Sequence, residues 1–371
     1  MHARGANYAA PLVFDVFCLS ISLHCTNRRA VIAAENRIDW LDIAKGMSII
    51  LVVIYHTLLY HDVHDMAPDL YARLSSIMTP IRMPLFFTVS GFLAASAMRA
   101  SWGDFLRRKI WLLVYLFAIW NTARWLFFRY VQTNVLVPTE GSDPYQLLEM
   151  WWAPNTGIWF IWALAIFMVA TKLLCPIRHP TTIAIAALIS ILTFGEHLSI
   201  DLFTHRNVLQ YFVFFLFGCW YGKPVVDAIT KRPLLTACAG LLIFAALYVL
   251  RWRLQAIEKG SWALVSSIAG LAWLCGTAVL MSRLQSVRHA FAYFGRNTLP
   301  VYVTHVMIVS LVVALVATIV GSNAASGYIT APLVVVFAIG LSLAIRAIAD
   351  RSCAGWLYTP PTRRQQQAVP A

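Results

Sequence analysis

The chain is poor in charged residues and especially poor in acidic ones. Only 12% of its 371 residues are charged, and Asp and Glu together number 16. A soluble protein carries roughly a quarter charged residues, so this composition argues against a soluble enzyme and a disordered chain. The seven cysteines are odd in number and scattered, without the C-x-x-C spacing of a metal or redox site. We expect neither a disulfide framework nor a bound metal.

Several motifs of soluble enzymes and nucleic-acid binders are also missing. The sequence has no G-x-S-x-G elbow, no P-loop and no H-E-x-x-H zinc pair. The net charge is +13, from 29 Lys and Arg, but no nucleic-acid motif accompanies it. Cytoplasmic loops of membrane proteins collect Lys and Arg, which explains the excess. We therefore expect no nucleic-acid partner.

Long apolar segments dominate what is present. Hydrophobic residues make up 60% of the chain, and the mean hydropathy is +0.69. A helix of about 20 residues spans the hydrocarbon core, and helices satisfy their own backbone there. The pattern predicts an all-α polytopic membrane protein with about ten transmembrane helices. The predicted spans are 41–60, 77–98, 110–131, 156–175, 181–195, 207–222, 234–250, 262–281, 298–320 and 329–349.

The distribution of basic residues predicts the orientation of these helices. With both termini in the cytoplasm, most of the Lys and Arg residues fall in inner loops, as the positive-inside rule requires. The organisation is then an N-terminal extension at 1–36 whose role the pattern leaves open, a transmembrane domain at 37–350 and a polar cytoplasmic tail at 351–371.

Ionisable side chains within the spans are the first candidates for function. Lys45 and His56 are eleven residues apart in the first span, which places them on one helix face about 16 Å apart. This face suits an anion at one end and proton chemistry at the other. The alternative is a lysine that extends to the lipid headgroups and a histidine hydrogen-bonded within the bundle.

Three further ionisable residues and one basic cluster are candidates. His305 in the ninth span suits proton transfer near neutral pH, with a packing role as the alternative. Arg82 and Arg124 each suit an anionic group, a pairing with Glu149 or Asp62, or extension to the outer headgroups. A basic cluster begins the third span and suits phosphate binding, but the positive-inside rule explains it equally well; it comprises Arg107, Arg108 and Lys109.

Four segments together resemble one known family, the acyltransferase 3 family of integral-membrane acyltransferases. They occur in the family's order between residues 37 and 310, and each is weak alone. The first runs from Arg37 to Gly46 and on to His56, with ten positions between Lys45 and the histidine. The others are Pro84–Leu93 (PLFFTVSGFL), Trp159–Leu164 (WFIWAL) and the run from Gly295 through Tyr302 to His305 (GRNTLPVYVTH).

The resemblance implies an O-acyltransferase of the bacterial inner membrane. Its donor would be acyl-CoA, with acetyl as the expected group, bound through Lys45, Arg107, Arg108 and Lys109. His56 would act as general base on a sugar hydroxyl or else carry the acyl group transiently, and the first is preferred because it needs no charged acyl-imidazole in the bilayer. Arg82 or His305 would orient the acceptor or stabilise the oxyanion. The acceptor would be a glycan or glycolipid, such as a surface polysaccharide, lipopolysaccharide, periplasmic glucan or lipochitooligosaccharide.

Two other classes of function compete with this interpretation. A transporter of a glycan or a lipid-linked precursor would also place Arg and His within a bundle of ten helices, although paired repeats are not seen. A structural membrane protein without chemistry leaves the four ordered segments unexplained. Loss of His56 distinguishes the enzyme from the transporter. It blocks acylation in an enzyme, whereas in a transporter it changes only the flux.

Overall fold

The structure is a computed structural model that describes residues 39–254 and 258–361. The extension predicted at 1–36 lies outside the described residues, as does 362–371 of the predicted tail. Within the described part the chain is helical, without strands. Twelve helices carry the fold: α1 (Asp39–Val63), α2 (Asp69–Ile77), α3 (Thr79–Ala94), α4 (Trp102–Tyr130), α5 (Trp159–Leu174), α6 (His179–Phe194), α7 (Phe203–Lys231), α8 (Pro233–Leu254), α9 (Lys259–Ser282), α10 (Gln285–Arg296), α11 (Thr298–Val320) and α12 (Ala324–Arg351).

Seven of the helices in the described residues are long and apolar enough to cross a membrane. They are α1, α4, α7, α8, α9, α11 and α12. The pair α2 and α3 passes the same test together but is bent by 44° at its break. The apolar helices α5 and α6 have 16 residues each, which is about 24 Å of helix and short of a full hydrocarbon core. The all-helical prediction is confirmed, whereas the count of ten spans and the orientation of the termini stay predictions.

Several predicted boundaries are wrong, each for a local reason. α7 was expected at 207–222 but continues to Lys231 with Pro224 inside it, because its polar last turns extend the helix without extending the apolar run. α4 begins at Trp102 instead of 110, and its second turn, Leu106–Ile110, is π-helical. The span expected at 77–98 is broken at Met78, directly before a helix that begins at Thr79 and has Pro80 in its first turn.

One helix was not predicted at all. α10 is short and amphipathic, and it packs against the first turns of α1, since the backbone of Gly295 lies against that of Asp42. A Cβ on Gly46 would also contact the carbonyl oxygen of Phe291, at 3.0 Å. The beginning of α1 is therefore covered, and its side chains are only partly available to a ligand.

Two glycines allow α3 and α7 to pack backbone against backbone. A Cβ on Gly91 would overlap the carbonyl oxygen of Phe215, and one on Gly218 would overlap that of Thr88. Close approach of this kind is the usual role of small residues in membrane helix pairs. The segment Ser90–Gly91, within the second of the four resembling segments, therefore holds the bundle together at this point.

The chain after α12 folds back onto α4 instead of leaving as a polar tail. A 3-10 turn, Cys353–Leu357, follows α12, and the indole of Trp120 donates a hydrogen bond to the Leu357 carbonyl at 2.8 Å. The Tyr115 hydroxyl donates to the Trp356 carbonyl at 2.7 Å, and Tyr358 is buried. The first residues of the predicted polar tail are thus part of the packed structure.

Candidate active site

Two histidines meet between α1 and α11. The Nε2 atom of His305 lies 3.3 Å from Nδ1 of His56, and the two rings are 5.0 Å apart with an edge-to-face angle of 70°. His305 is fully buried, whereas His56 is partly exposed to a cavity. Residues 249 positions apart in the chain are thus joined into one pair.

The surroundings of the two rings define which nitrogen carries each proton. Nδ1 of His305 lies 2.9 Å from the Val301 carbonyl and 2.8 Å from the Tyr302 carbonyl, so it must donate a proton. In the neutral ring its Nε2 is then a hydrogen-bond acceptor that faces His56. Nδ1 of His56 lies 3.0 Å from the Val52 carbonyl and therefore also carries a proton.

This arrangement leaves Nε2 of His56 as the basic atom. Its Nδ1–H has two acceptors, the Val52 carbonyl and Nε2 of His305. Both acceptors favour the positive ring that forms when Nε2 takes a proton, since a hydrogen bond from a charged donor is stronger than one from a neutral donor. His305 therefore fixes the tautomer and orientation of His56, in the way that a carboxylate does in a catalytic triad.

His56 lines a cavity of about 370 Å³, which we call the reaction cavity. Its wall is formed by the C-terminal half of α1, the beginnings of α3, α5 and α7, the end of α4 and the loop that follows α4. Polar and aromatic side chains are prominent in the lining: Tyr55, Arg82, Arg124, Trp159, Asn207 and Tyr211. Small-molecule sites are usually concave, with apolar and aromatic walls and a small number of placed polar groups, and this cavity has that form.

Arg82 is a buried cation in the wall of this cavity. Its side chain is 6% exposed, and its guanidinium lies 3.8 Å from the centre of the Tyr55 ring. Nη2 donates to the hydroxyl of Thr79 at 2.9 Å, and Nη1 makes a long contact of 3.5 Å with the hydroxyl of Ser75. No carboxylate among the described residues pairs with Arg82. Within the described part of the chain, its positive charge is therefore contacted by neutral groups only.

Arg124 lies in the same wall but is fully paired. Its Nε is 2.5 Å from Oε1 of Glu140, and its Nη2 is 2.9 Å from Oε2, which makes a bidentate ion pair. Asn134 donates to Glu140 at 2.5 Å and accepts from the Tyr60 hydroxyl at 2.8 Å. The pairing expected with Glu149 or Asp62 is wrong, because the loop after α4 folds Glu140 inward.

The aromatic segments of the sequence position the reaction cavity. The Tyr302 hydroxyl donates to the Gly157 carbonyl at 2.8 Å and accepts from the backbone N–H of Phe160 at 3.0 Å. These two bonds fix the beginning of α5, next to Trp159, against α11 at a point three residues before His305. Segments that are far apart in the chain thus converge at one site.

The structure brings His56, His305 and Arg82 to one end of the bundle, which we call the His56 end. The other candidates lie toward the opposite end of α1 and the start of α4. Lys45 is partly buried and forms an ion pair with Asp42 at 2.7 Å, so its charge is already compensated. The basic cluster of Arg107, Arg108 and Lys109 is exposed, with Arg108 3.3 Å from Asp104. Within the described residues, no cluster of three His, Cys, Asp or Glu side chains fits a metal ion.

Sequence reasoning missed Tyr55 and Asn134 of the cavity wall, and Glu140, the partner of Arg124. Glu140 and Asn134 belong to a polar loop, where a carboxylate usually faces water, and no periodic pattern marks them. Tyr55 adjoins His56 and stacks on Arg82, and its position one residue before the histidine was the available signal.

Comparisons with known proteins identify the family of the chain. Residues 38–349 match the sequence model of the acyltransferase 3 family, which is described as an acyltransferase domain. The chain belongs to the acyltransferase 3 family. It is also 21% identical to the inner membrane protein YcfT of Escherichia coli (strain K12) over 357 residues, which cover 87% of this chain and 96% of that protein. No solved structure matches the chain.

Membership in this family indicates a membrane-embedded acyltransferase. The match covers nearly all of the described helices, from the start of α1 to within two residues of the end of α12. The relative in E. coli is an inner membrane protein, which agrees with the apolar helices of this acyltransferase.

Proposed function

We propose that this acyltransferase moves an acyl group, acetyl in the simplest case, from acyl-CoA to a hydroxyl of a bacterial surface or exported glycan. The observation that supports this most strongly is the histidine pair, in which Nε2 of His56 is left as a base on a ring that lines the reaction cavity. Direct attack by the acceptor hydroxyl needs one such base and no covalent intermediate on the protein.

The proposed step begins with the acceptor hydroxyl hydrogen-bonded to Nε2 of His56. The hydroxyl proton moves to Nε2 while the oxygen bonds to the thioester carbonyl carbon, which gives a tetrahedral oxyanion. The carbon–sulfur bond then breaks, and the thiolate of CoA leaves with the proton from Nε2. His305 remains neutral and accepts the Nδ1–H of His56 throughout.

Arg82 has the position and charge to stabilise an anion in this cavity. Its guanidinium lacks a carboxylate partner among the described residues and lies beside Tyr55, which precedes His56 in α1. In a site that excludes water, a fixed cation stabilises a developing oxyanion more effectively than solvent does. We assign Arg82 to this role or to an anionic part of the acceptor.

The donor is proposed to dock from the opposite end of the bundle, which we take as the cytoplasmic side. Arg107, Arg108 and Lys109 are exposed there and suit the phosphates of CoA. Lys45 is a weaker candidate because Asp42 already pairs with it. The thioester arm would then pass along the face of α1 that carries Lys45 and His56, over about 16 Å.

A matched pair of histidine variants tests the proposal. His61 lies five residues after His56 in α1, is fully buried and bonds to the Thr57 carbonyl and the Thr330 hydroxyl, away from the cavity. A strain lacking the gene is complemented with wild type, His56→Gln or His61→Gln at equal membrane levels, and its surface and exported glycans are profiled by mass spectrometry. We expect an acyl-sized mass to be lost in the deletion, and restored by wild type and His61→Gln only.

The opposite results have distinct meanings. Equal acylation in all strains with a changed amount of exported glycan would overturn acyl transfer and favour a transporter. Full acylation by His56→Gln would keep the enzyme but remove the proposed base.

A further inference from the structure

A second cavity lies on the other side of Arg82. It has a volume of about 390 Å³ and is enclosed by the middle of α1, the helices α2 and α3 where they meet, and the first half of α12. We call it the lateral pocket. Its lining is mainly aliphatic and includes Leu51, Ile54, Leu58, Leu74, Val335 and Val336.

The position of the lateral pocket along its helices favours an opening toward lipid. α1 and α12 are both candidate membrane spans, and the pocket uses their central or early residues and not their ends. At its rim, Val336 is 70% exposed, and Leu74 of α2 is also exposed. Exposed apolar residues at this depth contact lipid chains, so an apolar chain can enter the pocket sideways from the bilayer.

Arg82 is shared by the lateral pocket and the reaction cavity. Its side chain lines both cavities. Nη2 donates to Thr79, which lines the reaction cavity, and Nη1 makes a long contact with Ser75, which lines the lateral pocket. It carries a buried positive charge with no carboxylate partner among the described residues. A charge buried in this way destabilises the folded protein unless an anion compensates it.

We propose that the lateral pocket holds the hydrocarbon chain of an amphiphile whose phosphate head group pairs with Arg82. The aliphatic lining fits the chain, the compensating charge fits the phosphate, and the shared position of Arg82 directs the group beyond the phosphate into the reaction cavity toward His56. The glycan acceptor is thus presented on a lipid phosphate from within the bilayer. Only this last identification, of the amphiphile as the acceptor, rests on the proposed function.

The experiment measures thermal unfolding of the purified protein in a neutral detergent. The probe is dodecyl phosphate below its micellar concentration, compared with dodecanol and with inorganic phosphate. Val335→Phe fills the lateral pocket with a ring, whereas Leu333→Phe places the same ring two residues away at an exposed position outside the lining. Arg82→Gln removes the charge and keeps a polar side chain.

We expect dodecyl phosphate to raise the unfolding temperature of wild type and Leu333→Phe by the same few degrees. Dodecanol should give a smaller shift, and inorganic phosphate none, because each lacks one of the two recognised parts. Val335→Phe and Arg82→Gln should each lose the shift. If Arg82→Gln does not fold, the comparison of the two phenylalanine variants still decides the question.

Equal stabilisation of all variants by dodecyl phosphate, or no stabilisation of wild type, would overturn the lipid site. Neither glycan nor acyl donor is present, so the result is independent of acyl transfer. Loss of glycan acylation in His56→Gln without a dodecyl phosphate effect keeps the enzyme and removes the lipid site. A dodecyl phosphate effect together with equal glycan acylation in all strains, the deletion included, keeps the lipid site and removes the enzyme.

Discussion

Arg82 and Arg124 are two buried arginines in the wall of one cavity, and they differ in what surrounds them. Arg82 is 6% exposed and Arg124 is 4% exposed, so both are removed from water to the same degree. Arg124 has a bidentate carboxylate, itself hydrogen-bonded to Asn134, whereas Arg82 has two hydroxyls and a tyrosine ring.

The difference predicts a structural role for Arg124 and a functional role for Arg82. The ion pair of Arg124 and Glu140 joins the loop after α4 to the bundle, and Glu140 compensates the positive charge of Arg124. The charge of Arg82 has no compensating carboxylate among the described residues. A buried charge of this kind destabilises the folded protein unless a ligand supplies an anion. Natural proteins retain such unfavourable arrangements chiefly at functional sites. The comparison therefore directs attention to Arg82 and predicts different consequences for changes near each arginine.

The largest expected effect on stability follows from breaking the paired region. Glu140→Met leaves Arg124 as a buried uncompensated charge, which costs about 3–5 kcal/mol in typical buried pairs. We expect a large loss of folded protein and a lower unfolding temperature in detergent. The double variant Arg124→Met with Glu140→Met removes both charges and should recover most of the lost stability. Equal unfolding temperatures of Glu140→Met and the double variant, whether both are lowered or both are unchanged, would contradict this assignment.

Removal of Arg82, which has no carboxylate partner among residues 39–254 and 258–361, is expected to have the opposite profile. Arg82→Met should leave the unfolding temperature unchanged or higher, because no partner is stranded and a buried charge is lost. Acylation of the glycan should fall about 100-fold or more, as when an oxyanion-stabilising group is removed. The measurement combines thermal unfolding with the glycan mass profile at equal protein levels. Full activity, or a stability loss like that of Glu140→Met, would end the distinction between the two arginines.

A smaller effect is expected when Arg82 is made to resemble Arg124. Ser75 lies 3.5 Å from Nη1 of Arg82, so Ser75→Asp would supply the missing carboxylate. We expect a modest rise in unfolding temperature with a several-fold loss of acyl transfer, since the new carboxylate competes with the anionic ligand. Ser76→Asp is the matched control, because Ser76 is exposed and has no contact with Arg82. Equal effects of the two substitutions would show that Arg82 does not need an anion.

The sequence was sufficient for the features that depend on composition and short spacing. Apolar runs predicted helices at all ten expected places, and ionisable residues within them identified His56, His305 and Arg82 as candidates. The pairing of Lys45 with Asp42 was also predictable in principle, because residues three apart share a helix face.

The features that depend on the path of a loop were not predictable in this way. Glu140 reaches Arg124 only because the loop after α4 turns inward, and no periodicity marks that turn. Similarly, the spacing of 249 residues between His56 and His305 says nothing about their contact, which follows from the packing of α1 against α11. The lateral pocket combines four helices and had no signal in the sequence.

The most direct test of the account is a double-mutant comparison of the histidine pair. Glycan acylation is measured for His56→Gln, His305→Gln and the variant with both changes, at equal membrane levels. If His305 acts only by orienting His56, His305→Gln should lower the rate while the double variant is no slower than His56→Gln alone. A normal rate in His305→Gln, or losses that multiply in the double variant, would contradict the histidine pair as a single catalytic unit.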